Sequence, residues 1–270
     1  MNNVTAYFAL FRHQFRAELQ FRAAFWSKMA TNIFWGYIKT LILAVYYTHG
    51  VGGAQIGLAQ AIGMAWLGQI AINLLPGFGM DFAVYNKVRS GDVGCELLRP
   101  LDIYGHWYAS AMAVKLTPFL SAVIPVTVAA LLMPGELRLM PPVSPVHLTA
   151  CLISLMSGLI LSCALICLSY AMCMDTRAGD GIARLFMAVV QVFAGMILPL
   201  QLWPDWAQGF LHWQPFAGTL DLPLRFYIGS AQISELGGVL ISQLLWAVGM
   251  IALGRAWIAR NLRKLVIQGG

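Results

Sequence analysis

The sequence predicts an all-α, polytopic membrane protein with six transmembrane helices, and three observations carry that prediction. First, the 270 residues are 59% hydrophobic and only 10% charged, whereas a soluble domain carries about a quarter charged residues. A surface cannot be kept in water with that supply, so most of this chain has lipid as its solvent. Second, six apolar stretches approach or exceed the roughly 20 residues that a helix needs to cross a bilayer. They lie near Ser27–Thr48, Gln55–Gly79, His106–Met133, His147–Cys173, Leu185–Trp203 and Leu236–Ile258. Third, no ten-residue alternating pattern recurs, which leaves helices as the structure that satisfies the backbone inside a membrane.

Punctuation separates the stretches: "THGVGG" after the first, "PGELRLMPPVSP" between the third and fourth, and "DTRAGDG" between the fourth and fifth. The whole chain, residues 1–270, reads as one transmembrane domain. Orientation follows from the basic residues. Six spans put both termini and two loops on one side. That side holds Arg12, Arg16, Arg22, Lys28, Lys87, Arg89, Arg99, Arg177, Arg184, Arg255, Arg260, Arg263 and Lys264. The opposite loops hold Arg138 and Arg225. The expected topology has both ends in the cytoplasm and the body in the plasma (inner) membrane. The net charge of +6 is then a topology signal, and no nucleic-acid partner is expected.

Ahead of the first span, Phe8, Phe11, Phe15, Leu19 and Trp26 recur at helical spacing, with Arg12, Arg16 and Gln20 on another stripe. This predicts an amphipathic helix in the cytoplasmic headgroup layer, residues 1–26, with Phe11 and Phe15 down and Arg12 and Arg16 at the surface. The segment from 204 to 235 is broken by Pro204, Pro215 and Pro223 and carries Trp206, Trp213 and Tyr227. It is expected to form short outer helices that dip back into the outer leaflet.

Chemistry is thin along the spans. The six stretches contain no Asp and no Glu, which weakens an ion-coupled transporter or proton pump, since those generally need a carboxylate at membrane depth. No G-x-x-x-x-G-K-[ST] loop, H-E-x-x-H or G-x-S-x-G is present, so the chain is read as no enzyme and as holding no cofactor. The five cysteines match no metal pattern and read as small buried hydrophobes. Lys39 sits deep in the first span and either faces a polar cavity or snorkels, whereas Lys115 is within snorkelling reach of the cytoplasmic interface. Gln69 and Asn73 share a helix face and either line a path or bond a neighbouring helix. Ala59 with Gly63, and Ser154 with Gly158, are candidate small-residue packing pairs.

One polar connection stands out, "VYNKVRSGDVGCELLRPLDIYGHW" (84–107). Asp92 can cap a short helix "VGCELL", Pro100 stops it, and Asp102 can cap the next span. Val93, Leu97 and Leu98 give the stub an apolar side; Glu96 and Arg99 give it a polar one. A rigid knob of this kind suits a socket on a soluble partner.

"VRSGDVGCELLRPLD" resembles the loop between the second and third spans of type-2 ABC exporter permeases. "FAGMILPLQLWPDW", "WQPFAGTLDLPLRFYIG" and the ending "RNLRKLVIQGG" resemble that family's fifth span, outer segment and basic tail, although the family more often has Leu where this chain has Gln214. The resemblance covers almost the whole chain. It implies a permease subunit of an ABC exporter, with the amphipathic N-terminal helix as an elbow. It also implies that Asp92, Glu96, Leu97, Arg99 and Pro100 form or brace the contact with an ABC ATPase subunit, which binds ATP and Mg. A second permease subunit, the same or related, is the other implied partner. The competing functions are a stand-alone secondary transporter or channel, and a membrane scaffold. Spans so poor in charge lean toward amphipathic or hydrophobic cargo.

Overall fold

The computed structural model describes residues 12–13, 16, 22–49, 56–77, 84, 86–87, 93, 102–175 and 179–263. These residues are all-helical. The helices are α1 (Arg22–Thr48), α2 (Leu58–Ala71, continued by a 3-10 turn Ile72–Leu74), α3 (Ile103–Leu131) and α4 (Pro145–Asp175). They continue with α5 (Gly179–Phe193), α6 (Asp205–Trp213), α7 (Asp221–Ile228) and α8 (Leu236–Leu262). Residues 103–131, 145–175 and 233–262 are long and apolar enough to cross a membrane, and Leu58–Leu74 and Gly181–Phe193 are shorter apolar helices. α1 has the length, but its polar face, with Asn32 and Lys39, makes it less apolar.

α4 is the central post. Its most apolar stretch is 78% buried within the chain, against 11% for α8, so α4 packs on protein while α8 presents its side to the surroundings. Helices α3, α5, α7 and α8 all lean on α4. The four cysteines of α4, Cys151, Cys163, Cys167 and Cys173, are buried and free, as expected of small core residues.

The fifth element departs from the sequence expectation. A span over Leu185–Trp203 was expected; the helix instead starts at Gly179 and ends at Phe193. At 1.5 Å per residue its 15 residues reach about 22 Å, half the length of α4. The chain then turns at Gly195, whose φ of +80° lies where L side chains rarely go. A Cβ there would also stand 2.9 Å from Asp221 Oδ1. Residues 200–228 occupy the space beyond this break. The turn Phe216–Thr219 reaches Gly158, where a Cβ would come within 2.6 Å of the Gly218 carbonyl oxygen. Gly158 lies about 20 Å along α4 from its first residue, so the turn Phe216–Thr219 packs against α4 well inside its length. Of the two small-residue pairs, Gly158 thus admits a backbone, and Gly63 meets Ile228 of α7. Trp206 and Trp213 are 84% and 82% exposed.

A turn packed inside an apolar bundle needs its backbone groups satisfied, and buried side chains do this. Gln214, placed where the resembling family favours Leu, donates through Nε2 to Phe193 O (2.9 Å) and Leu211 O (3.2 Å). Its Oε1 accepts from the backbone N–H groups of Phe216 and Ala217. Gln243 of α8 donates to Gly218 O (2.7 Å) and Ser154 O (3.0 Å). Asp221 accepts from Leu200 N at 3.0 Å and from Arg225 Nε at 2.6 Å. The six apolar stretches of the sequence carry no carboxylate, but the segment between the fifth and sixth carries this one, already paired.

Candidate functional site

The lysines at depth explain themselves through two breaks. α2 loses its helix at Leu75–Gly77, and Lys115 Nζ, on α3, donates to Leu75 O at 2.7 Å. Lys115 is 1% exposed, so it turns inward to an interrupted helix rather than snorkelling to the cytoplasmic surface; distance along the helix was a poor guide to the direction it faces. Gln191 of α5 reaches Pro76 O at 3.3 Å. The second break, after α5, takes Lys39: its Nζ donates to Met196 O at 2.8 Å.

Between these breaks lies a groove of about 460 Å³. α1 contributes Lys28, Asn32, Trp35 and Lys39, α2 and its 3-10 turn contribute Gln69 and Asn73, and Gln191, Met196 and Ile197 close it. The α1 residues recur at three- and four-residue spacing, so they share one face. Gln69 and Asn73 do the same on α2. Three side chains here are nine-tenths buried: Asn32 (8%), Gln69 (1%) and Asn73 (5%). Asn32 Nδ2, Gln69 Oε1 and Asn73 Nδ2 have no hydrogen-bond partner, so bonding to a neighbouring helix does not account for Gln69 and Asn73. Lys39 separates this groove from a smaller cavity of about 80 Å³, lined by Leu43, Met64 and Gly68.

The structure thus brings Lys39, Gln69 and Asn73 together from two helices. Sequence reading missed Asn32 and Gln191. Asn32 had a signal, since it falls on the Lys28–Lys39 stripe; Gln191 had none, because its place depends on where α5 stops. A second, polar cavity of about 690 Å³ lies among Gln60, Gln201, His212, Arg225 and Glu235.

Asp92, Glu96, Leu97, Arg99 and Pro100, the residues expected to contact an ATPase, lie outside the described residues. Their neighbour Val93 is helical and 1% exposed, in keeping with the apolar side assigned to it. Asp102 caps α3 as expected, accepting from Gly105 N at 2.9 Å. It also accepts from Arg255 of α8 at 3.1 Å, an exposed pair at the start of α3. In the expected N-terminal amphipathic segment, Arg12 and Arg16 are helical and exposed, while Phe11 and Phe15 lie outside the described residues.

Three apolar helices of membrane-crossing length among the described residues, with two shorter apolar helices whose ends are met by lysines, mark an integral membrane protein. A family model described as ABC-2 family transporter protein matches residues 59–269. The chain belongs to this family, and is a permease component of an ABC transporter. No curated protein and no solved structure matches it.

Proposed function

We propose that the chain is the membrane-spanning permease subunit of an ATP-driven exporter, worked by a separate ABC ATPase from the cytoplasmic side. The observation that carries this reading is the family match, which spans the loop 84–102 as well as the helices. In this reading α1 to α5 and α8 are the six spans, with both termini cytoplasmic and the protein in the plasma membrane. The N-terminal helix lies at the surface on Phe11, Arg12, Phe15 and Arg16. Helices α6 and α7 form the re-entrant outer segment, supported by the depth at which Phe216–Thr219 meets α4. The chain is itself no enzyme; ATP and Mg belong to the partner.

The stub built from Asp92, Glu96, Leu97, Arg99 and Pro100 seats in the ATPase, and nucleotide-driven closure tilts it as a lever. Asp102, held to α8 through Arg255, passes that motion to α3 and α8 together. Reversing a 1:99 preference between inward-open and outward-open states takes about 5.5 kcal/mol of differential binding. A second permease subunit, the same or related, completes the pathway, and the groove with Lys39, Gln69 and Asn73 faces it.

The double variant Arg99→Glu, Pro100→Ala tests the lever. In proteoliposomes holding the permease and its ATPase, it is expected to insert normally and to leave ATP hydrolysis running while export stops. Export at the wild-type rate by that variant removes the coupling role. The interrupted helices also suit a secondary transporter; transport that continues with ATP withheld would select that reading instead.

A further inference from the structure

We propose that the groove between α1, α2 and the end of α5 binds the anionic head group of an amphipathic molecule, with Lys39 as the charge partner, and that such molecules are the permease's cargo. The cargo half rests on the exporter reading above; the binding half stands on the groove alone.

Three features converge. Charge comes first. The described lining residues include Lys28 and Lys39 and no Asp or Glu. Lys39 makes one hydrogen bond, to Met196 O, and an ammonium has three N–H groups, so two remain to be directed into the groove. A cationic head group would be repelled by the Lys39 ammonium; an anionic one is attracted, and more strongly than it would be in water.

Donors come second. The amide nitrogens of Asn32 and Asn73 are buried with their hydrogens unmatched. Leaving a buried polar group unmatched is costly, and three such atoms in one groove offer hydrogen-bonding capacity that a ligand can take up. A phosphate or carboxylate supplies several acceptor oxygens to Lys39, Asn32 and Asn73 at once. Gln69 Oε1 can take a hydroxyl beside the charged group.

Shape comes third. About 460 Å³ is within the usual span of small-molecule sites. One wall is apolar, with Trp35, Ile72, Met196 and Ile197. Trp35 is 52% exposed and Ile197 67% exposed, so the apolar end opens to the surface. A head group held at Lys39 therefore leaves its tail running out past Trp35.

The test reads binding without ATP or ATPase. The full-length chain is placed in phosphatidylcholine nanodiscs and titrated with dodecyl phosphate brominated along the chain, which quenches nearby tryptophan. The signal is the quenching that Trp35→Phe removes. It is expected to saturate with dodecyl phosphate and not with the equally brominated dodecyltrimethylammonium. Lys39→Gln, which keeps a donor for Met196 O, is expected to weaken binding about tenfold or more, and Lys39→Arg to restore most of it. Asn73→Leu breaks no hydrogen bond in the structure, and is expected to weaken binding severalfold. Brominated phosphatidic acid distinguishes the sources: saturation by it as well identifies a membrane lipid, saturation by the single-chain phosphate alone a free amphiphile. Equal quenching by the cationic probe, or unchanged affinity in both Lys39→Gln and Asn73→Leu, overturns the proposal. That failure would leave the permease reading untouched, because that reading is tested by ATP dependence. Binding as described with ATP-independent movement would spare the site and remove the exporter.

Discussion

Asp221→Ala is expected to unfold the outer segment from the bundle. The Asp221 side chain is wholly buried and pairs at 2.6 Å with Arg225, itself only 14% exposed. Its other oxygen holds Leu200 N, the first residue of the short turn beyond the α5 break. Truncation strands a guanidinium and a backbone N–H together, and breaking a buried pair from one side costs about 3–5 kcal/mol. The loss should appear as a large fall in the temperature at which detergent-solubilised protein leaves the monodisperse peak. Asp221→Leu combined with Arg225→Met removes both charges, and is expected to recover a substantial part of that loss. If Asp221→Ala melts like wild type, the ion pair does not anchor the segment, and the account of how the break is held is wrong.

Gly158→Val is the second large effect, and it acts by volume rather than charge. The new Cβ would press within 2.6 Å of Gly218 O and 3.2 Å of Thr219 O, two backbone atoms that cannot swing aside. Gln243 holds that same Gly218 carbonyl from α8, so the turn is fixed from both sides. Overpacking costs about 1–3 kcal/mol, and a clash with fixed backbone puts this variant at the top of that range. Gly249→Val is the control: a Cβ there meets nothing within 4 Å, and its melting temperature should stay near wild type. Equal behaviour of the two variants would mean that the outer segment does not descend to Gly158.

What the sequence made legible, and what it hid, divides along a physical line. Long helices were readable because apolar runs of membrane length leave few alternatives, and the cap at Asp102 was readable because capping is local. The end of α5 was hidden because "AGMILPLQL" is as apolar as a helix. Hydropathy does not separate a buried turn from a span. Only the partners reveal it: Gln214 on Phe193 O, Asp221 beside Gly195, Lys39 on Met196 O. Each of these lies more than 20 residues away or across the bundle. The groove divides in the same way. Lys39, Gln69 and Asn73 were visible singly as polar residues in oily helices, but their convergence depends on how α1 packs against α2. Lys115 was misjudged because its depth was read from the sequence while its direction is set by the break at Leu75.

In the proposed function this permease moves cargo only when an ATPase drives it from the cytoplasmic side. The direct measurement is to tag the chain at its C-terminus, solubilise it gently from its native membrane and assay what accompanies it for nucleotide hydrolysis. The account predicts a P-loop ATPase in comparable amount, whose association falls sharply when Leu97 and Arg99 are both changed to Glu. A permease that emerges without any nucleotide-hydrolysing subunit, and that still concentrates a solute in liposomes on its own, would contradict it.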